Sequence, residues 1–350
     1  MPPGEAALAP EPVWGEFVAH EHLSLKNLTN FTVMIFALTP SFFIVARLYS
    51  CSASIEDTAD PWAAIFEPSE WCRIAINRPV TFANLLFFTN VSVLFWLIGL
   101  LQQSFWLIDP YWTFIPPLLG HLYQLHPRAT ADPWRSSMAL GLLWIWSFRL
   151  TTSYFRREDW KFGQREDWRY SKMAREHPRA WPILSFFAVG LAQQPMLVGI
   201  SAPAFAVHST DTPLGLADFF CAAGCCVGLL FATVADNQLR AYMVAKPHAP
   251  PILCTGLWRY SRHPNYFGEQ VFWWSFAGMA VHLGQPVMLA GTAFNSLILA
   301  VVTLMTEERM LTGWTPPRAA LYREYMRTTS PCIPWFPKRP REDGMAKRES

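Results

Sequence analysis

A cluster of polar side chains stands where an apolar segment begins, in Gly256-Leu-Trp-Arg-Tyr-Ser-Arg-His-Pro-Asn-Tyr-Phe-Gly-Glu269. Arg259 and Arg262 offer forked donors that suit phosphate groups. Pro264 suits the first turn of a helix, and the N-terminus of a helix attracts anions. Glu269 would lie at membrane depth, where a carboxylate is costly and usually functional. The cluster therefore predicts an anion-binding site, with a basic membrane flank as the alternative.

Further polar motifs follow other apolar segments. They are Gly163-Gln-Arg-Glu-Asp-Trp-Arg-Tyr170, Asp236-Asn-Gln-Leu-Arg-Ala-Tyr242, Glu307-Glu-Arg, Tyr322-Arg-Glu-Tyr325 and Thr328-Thr-Ser-Pro-Cys-Ile-Pro334. Glu166, Asp167 and Arg169 in the first motif form either a solvated ion-pair cluster or part of a binding loop.

Four charged residues need partners because of where they lie. Glu307 and Glu308 lie at the C-terminal end of an apolar helix, which disfavours carboxylates, so we expect them to pair with nearby arginines such as Arg309 or Arg323. Arg149 and Asp218 fall inside apolar segments, where charges pair with one another or with other polar groups.

Eight apolar segments must position these motifs. A helix needs about 20 apolar residues to cross a bilayer. The expected spans are Asn27–Ala46, Val80–Leu101, Phe105–Leu125, Ser136–Phe155, Trp181–Val207, Pro213–Ala235 and two within Gln270–Thr306. The last segment has 37 residues without Lys, Arg, Asp or Glu, and Gly284-Gln285-Pro286 predicts its turn. The predicted fold class is all-α, a polytopic transmembrane helix bundle of about eight spans.

Composition supports a membrane protein. Of the 350 residues only 15% are charged, against about 25% in ordinary soluble domains. There are 17 Trp and 26 Phe, and the mean hydropathy is +0.15. These values exclude a disordered chain, a coiled coil and a secreted disulfide scaffold. A net charge of +2 argues against a general nucleic-acid binder, so the expected partners are the lipid bilayer and a hydrophobic small molecule.

The distribution of Lys and Arg predicts the orientation. With eight spans, 22 of these residues fall on the side of both termini and 4 on the opposite side. The positive-inside rule therefore predicts cytosolic N- and C-termini. The sequons at Asn27 and Asn30 would then stay unglycosylated. Cys51 and Cys72 share one loop on the opposite side and could pair there if that loop is lumenal.

The motifs resemble those of the DUF1295 family, a branch of the steroid 5-alpha-reductase C-terminal superfamily. That superfamily also holds the sterol C14 and C7 reductases and the isoprenylcysteine carboxyl methyltransferases. The resemblance extends from about Leu140 to Pro337. It divides the chain into a flexible tail (1–25), spans one to three (26–135), a DUF1295-like reductase core with spans four to eight (136–337) and a basic tail (338–350).

The resemblance implies a reductase that binds NADPH in a cytosol-facing pocket. The positions that match cofactor-binding residues are Asp236, Gln238, Arg240, Trp258, Arg262, His263, Asn265, Tyr266, Glu269, Arg323 and Tyr325. One departure is that Leu239 and Met243 stand where the sterol reductases have Lys and Phe-Arg, so Arg240 would substitute. No metal site is expected.

The expected reaction is NADPH-dependent reduction of a carbon–carbon double bond in a lipid, steroid or isoprenoid. Tyr266 and His263 are the expected catalytic residues because they adjoin the inferred cofactor. Groups that could polarise a substrate carbonyl are Asp109, His121 and Tyr123, each of which could instead serve packing. Two alternatives are an S-adenosylmethionine-dependent carboxyl methyltransferase and a non-enzymatic lipid-binding membrane protein.

The expected location is the endoplasmic reticulum. Residues 1–25 lack Arg and do not resemble a transit peptide, so span one should direct insertion. Lys347 and Arg348 occupy the fourth and third positions from the C-terminus and resemble a dibasic retrieval signal. A solvated basic tail is the alternative interpretation of that pair.

Overall fold

The computed structural model describes residues 21–49, 68–246 and 248–338. Within these residues the chain is helical, and one isolated backbone bridge joins Ser261 to Ser330. The helices are α1 (Leu25–Phe36), α2 (Thr39–Tyr49), α3 (Pro68–Asn77), α4 (Pro79–Phe87), α5 (Trp96–Gln102), α6 (Ile108–Gln124), α7 (Pro133–Arg157), α8 (Trp168–Glu176), α9 (Trp181–Ser185), α10 (Ala192–His208), α11 (Leu216–Val244), α12 (Pro264–His282), α13 (Leu289–Gly313) and α14 (Pro316–Thr328). The all-α prediction is confirmed for the described residues.

Some predictions fall outside these ranges. The retrieval signal at Lys347-Arg348 and most of both tails lie outside the described residues, as does Cys51. Cys72 takes part in a disulfide. Its pairing with Cys51 in particular stays a prediction.

Among the described residues, five segments are long and apolar enough to cross a membrane. They are Leu25–Ala46, Pro79–Gln102, Trp181–His208, Leu216–Val244 and Pro286–Gly313. The three other predicted spans are helical, as α6, α7 and α12, but do not meet the same criteria. Helix α6 has only 17 residues, and the hydropathy of α7 is lowered by Arg149 and by several serines and threonines. A count of eight crossings and the cytosolic termini stay predictions.

The first predicted span is broken into two helices. α1 ends at Phe36 and α2 begins at Thr39. Pro40 explains the break, because its ring would clash with the carbonyl of the residue four positions earlier and it has no amide hydrogen to donate. The segment Leu25–Ala46 therefore bends where its hydropathy alone predicts a continuous helix.

Two π-helical segments replace α-helix in the second and fifth predicted spans. Phe88–Phe95 links α4 to α5, and Phe186–Leu191 links α9 to α10. The two segments pack together, with the Ser92 hydroxyl donating to the Gly190 carbonyl at 3.2 Å. Gly190 is required there, because a Cβ at this position would lie 2.7 Å from the Ser92 carbonyl oxygen.

Helix α10 forms the centre of the bundle. It packs against α4, α6, α7, α12 and α13, and most of its side chains are buried. The outer faces are apolar, with exposed Phe42, Phe220, Leu297 and Leu304. Apolar side chains facing outwards from a helical bundle are typical of contact with lipid.

Helices α11 and α12 form a closely packed antiparallel pair. A Cβ added at Gly228 would lie 2.5 Å from the Phe272 backbone nitrogen, and one at Gly268 would lie 2.5 Å from that of Ala232. Small residues thus let the two backbones approach closely. Two turns beyond Gly228, this approach brings Asp236 of α11 beside the first turns of α12.

Candidate functional site

Arg149 lies inside α7 and contacts two acidic side chains on other helices. Its Nη1 donates to Asp236 Oδ2 at 2.8 Å, and its Nη2 donates to Glu269 Oε1. The Arg149 side chain is 9% exposed. α7, α11 and α12 therefore meet around one arginine.

Two further side chains complete this group. Trp146 Nε1 donates to Glu269 Oε2 at 2.7 Å, and Asn265 Nδ2 donates to Asp236 Oδ1 at 3.1 Å. Residues three or four apart share a helix face, which places Trp146 beside Arg149 and Asn265 beside Glu269. We call Trp146, Arg149, Asp236, Asn265 and Glu269 the Arg149 cluster.

The Arg149 cluster carries excess negative charge and has polar atoms that form no hydrogen bond within it. It holds two carboxylates against one cation, and the side chains of Asp236 and Glu269 are 21% and 18% exposed. Arg149 Nε and Asn265 Oδ1 are enclosed and have no hydrogen-bond partner among the described residues. Buried polar atoms are usually satisfied, so such orphans indicate a site for a ligand or water.

In a second cluster, the charged side chains are buried and bonded to one another. Arg262 Nε and Nη2 donate to both oxygens of Glu307, at 2.7 and 3.1 Å. Its Nη1 donates to the carbonyls of Met326 and Thr329, each at 2.8 Å. His263 Nε2 lies 3.0 Å from Glu307 Oε1. Because these side chains are buried and mutually bonded, the Arg262 cluster (Arg262, His263, Glu307) holds α14 and the segment after it against α12.

Glu307 pairs with an arginine, as expected, but this geometry corrects which arginine it is. Its partners are Arg262 and His263, not Arg309 or Arg323. The start of α12 packs against the end of α13, which brings Arg262 to Glu307 across 45 residues of sequence. Arg309 instead lies over the Trp168 ring, 4.5 Å from its centroid. The expected phosphate contact of Arg262 stays a prediction.

Three of the predicted cofactor residues hold the loop before α12. Gln238 Oε1 accepts from the Leu257 amide at 2.9 Å, and Gly256 beside it has φ 61°, which favours glycine. Trp258 Nε1 donates to the Ala235 carbonyl at 3.1 Å. The Tyr325 hydroxyl donates to the Trp258 carbonyl. These contacts give Gln238, Trp258 and Tyr325 a positioning role.

The remaining predicted site residues face more open space. The Tyr266 ring is half-buried and stacks on His263, with centroids 5.2 Å apart. Arg240 is exposed on α11, one turn beyond Asp236. Arg323 is exposed on α14. Contact between any of these residues and a cofactor stays a prediction.

The acidic-aromatic motif joins α8 to the start of α6. Asp167 caps α8 and pairs with Arg169 at 2.6 Å. Glu166 Oε2 accepts from the Phe105 amide at 2.6 Å. Burial, with a smaller contribution from the nearby Asp109 carboxylate, raises the pKa of Glu166 to about 8. The motif is therefore a half-buried joint and not a fully solvated ion-pair cluster.

The same loop is tied to α1. Asn27 Oδ1 accepts from the Phe162 amide at 2.7 Å, and Asn30 Nδ2 donates to the Phe162 carbonyl at 2.8 Å. Both Asn side chains are buried. Their burial supports the expectation that these sequons are not glycosylated.

Asp218 does not pair with Arg149. Arg135 Nε and Nη2 donate to its two oxygens at 2.8 and 2.9 Å, and both side chains are fully buried. Arg135 and Asp218 lie at the starts of α7 and α11, whereas Arg149 lies more than three turns further along α7. From the sequence, Arg149 and Asp218 could pair either with each other or with other polar groups. Helix geometry shows that each pairs with a different partner.

Arg149 and Trp146 are the cluster members that sequence reasoning did not assign to a site. Arg149 carried a signal, because an arginine inside an apolar segment is a functional-site hypothesis by default. Trp146 carried none, because a tryptophan in a span packs against lipid or core as readily as it donates to a carboxylate.

Comparison with known proteins gives a family but no characterised relative. The family model described as "Protein of unknown function (DUF1295)" matches residues 95–329, so the matched region begins before the core expected at 136–337. The uncharacterized protein C594.04c of Schizosaccharomyces pombe is 24% identical over 222 residues. That alignment covers 57% of this chain and 64% of the yeast protein, less than two thirds of its length. No solved structure matches the chain.

Proposed function

The chain belongs to the DUF1295 family, and on that premise we propose that it is a membrane-embedded, NADPH-dependent reductase of a carbon–carbon double bond in a hydrophobic lipid, steroid or isoprenoid. One observation carries the proposal. Asp236, Asn265 and Glu269, which lie in two motifs matched to cofactor binding, converge around Arg149 and leave enclosed polar atoms without partners among the described residues.

The residues present fit a dinucleotide. Asn265 Oδ1 is a free acceptor suited to a carboxamide N–H, and Arg149 Nε is a free donor. The carboxylates of Asp236 and Glu269 can accept hydrogen bonds from sugar hydroxyls. Arg240, exposed one turn away from Asp236, is the cation placed to bind phosphate. Bound NADPH supplies the hydride, and the protein supplies orientation and electrostatics.

Tyr266 is the residue best placed to donate a proton. Reduction of a polarised double bond needs a proton donor beside the hydride donor. His263 is buried and bonded to Glu307, whereas the Tyr266 ring that stacks on it is half-buried. We therefore assign proton donation to the Tyr266 hydroxyl and a positioning role to His263.

Asp109 is the candidate for polarising a substrate carbonyl. It lies in the first turn of α6, at the end of the bundle that holds the acidic-aromatic motif. His121 and Tyr123 lie at the other end of α6, and the Trp144 indole already donates to His121. Among Asp109, His121 and Tyr123, only Asp109 therefore lies at the end of the bundle that holds the Arg149 cluster.

A ligand-dependent melting experiment tests the proposal. The protein in mild detergent is heated with NADPH, NADH or S-adenosylmethionine, because a ligand at 100 times its Kd stabilises the folded state by about 2.7 kcal/mol. We expect NADPH to raise the melting temperature of wild type and of Asn237→Ala, an exposed neighbour, but not of Asn265→Ala. Stabilisation by S-adenosylmethionine alone would indicate a methyltransferase. Stabilisation by none of them would favour a lipid-binding protein.

We also propose residence in the endoplasmic reticulum. The five apolar segments among the described residues support a membrane location. The test locates the N-terminally tagged protein in cells against an endoplasmic-reticulum marker. A plastid or mitochondrial location would contradict the claim.

A further inference from the structure

A cavity of about 160 Å³ lies at the end of the bundle opposite to the Arg149 cluster. It is formed where α3 ends and α4 begins, at the C-terminal ends of α6 and α10, and by the loop that leads into α7. Arg149 lies 16 residues beyond Pro133, the first residue of α7. At 1.5 Å per residue this separation is about 24 Å, so the cavity is distinct from the cluster.

His208, the last residue of α10, is an unpartnered polar side chain on the wall of this cavity. It is 1% exposed, and neither ring nitrogen has a hydrogen-bond partner among the described residues. Its backbone is fixed, because its carbonyl accepts from the Thr130 amide at 3.0 Å. A neutral imidazole carries one donor and one acceptor, and leaving both unused in a buried position is costly.

The rest of the wall limits what could occupy this space. Ile76, Pro79 and Phe205 provide apolar surface, and Arg128 places a cation at the wall. An engineered apolar cavity of about 150 Å³ accommodates benzene, so about 160 Å³ suits one six-membered ring.

The hydrogen-bonding chemistry of His208 selects the polar part of the ligand. A hydroxyl both donates and accepts, so it can partner whichever ring nitrogen faces the cavity. A carboxylate only accepts and could serve a single tautomer. We propose that the His208 cavity binds a neutral, hydroxyl-bearing apolar ring, either the alcohol end of a sterol-like lipid or a small free alcohol.

The test measures melting temperature in detergent without nucleotide, so its result is independent of the proposed reductase activity. The probes are cyclohexanol, methylcyclohexane as the analogue without a hydroxyl, and cholesterol in mixed micelles. We expect saturating cyclohexanol to raise the melting temperature of wild type by roughly 2–4 °C relative to methylcyclohexane. A comparable rise with cholesterol identifies a membrane lipid as the source, and a rise with cyclohexanol alone identifies a free alcohol.

Two variants keep the proposal falsifiable. His208→Leu removes the imidazole and retains an apolar wall, and Ala129→Leu fills the cavity from the loop while keeping His208. Both should lose the alcohol-dependent rise, whereas His177→Leu, at an exposed histidine, should keep it. An equal rise in wild type and His208→Leu would overturn the proposal. So would equal effects of both small probes, or no effect of any probe, which would mean that water alone fills the cavity.

Discussion

Two arginines on α7 face acidic partners inside the bundle, and their surroundings differ. Arg135 meets one carboxylate, that of Asp218, and its remaining donors reach the carbonyls of Thr212 and Pro213 at 2.6 and 2.7 Å. Both side chains of this pair are fully buried. Arg149 meets two carboxylates, those of Asp236 and Glu269, which stay partly exposed.

The difference distinguishes a structural pair from a candidate site. Burial of an ion pair carries a desolvation penalty that is offset only when every remaining donor is bonded, as at Arg135. The Arg262 cluster follows the same pattern. The Arg149 cluster has surplus negative charge and orphaned polar atoms. A ligand can therefore complete the Arg149 cluster, whereas the Arg135 pair is complete as it stands.

The largest loss of stability is expected at the Arg135 pair. Arg135→Leu leaves the Asp218 carboxylate buried without its cation, which typically costs about 3–5 kcal/mol. We expect the melting temperature in detergent to fall by roughly 10 °C. Arg156→Leu, at an exposed position of α7, serves as the control. A variant as stable as wild type would show that the pair is not structural.

A somewhat smaller loss is expected at Arg262. Arg262→Ala removes the bonds to Glu307 and to two carbonyls, although His263 remains beside Glu307, so the cost should be about 2–4 kcal/mol. Thermal melting with and without NADPH measures it. The opposite result, a stable variant with NADPH affinity reduced roughly ten- to hundredfold, would support the phosphate contact that the motif predicts.

A pH-dependent effect is expected at Glu166. Its folded pKa, about 8, lies above the ordinary value of 4.5, so its contribution to stability is present below about pH 4.5 and lost as pH rises through 8. Between pH 5 and 8 the melting temperature of wild type should fall by several degrees relative to Glu166→Gln. Parallel melting curves for the two proteins across this range would contradict the prediction.

The smallest change in stability is expected at Glu269, together with a loss of ligand response. Glu269→Gln keeps the shape of the side chain and removes one of the two carboxylates on Arg149. Stability should stay level or rise, because a partly buried charge is lost. NADPH-dependent stabilisation and turnover should fall sharply. If turnover matches wild type, Glu269 is structural and the contrast with the Arg135 pair is lost.

Much of the fold could be predicted because apolar length is a local property. Every predicted span coincides with a helix or a pair of helices. The break before Pro40 was not predicted, although a single residue explains it. The π-helical segments were not predicted either, since they depend on how Ser92 and Gly190 pack against each other across 98 residues of sequence.

The sequence identified several residues of the candidate site but not how they are arranged. Asp236, Asn265 and Glu269 were identified from motif types, and the structure brings them together. Gln238, Trp258 and Tyr325 came from the same motifs, yet they hold the loop before α12. A motif does not distinguish a residue that binds a ligand from one that positions its neighbour, because both occupy fixed places in the sequence.

The sequence by itself determined the apolar segments, the ends at which polar motifs cluster and the family. Only the tertiary structure decided which charges meet. Because Arg149 and Asp218 both lie inside apolar segments, the sequence allowed them to pair with each other. Close packing at Gly228 and Gly268 instead aligns α11 with α12. This alignment places Asp236 and Glu269 beside Arg149. Partner choice inside the bundle depends on helix register, since the desolvation cost of a buried charge is offset only by partners that packing brings within hydrogen-bonding distance.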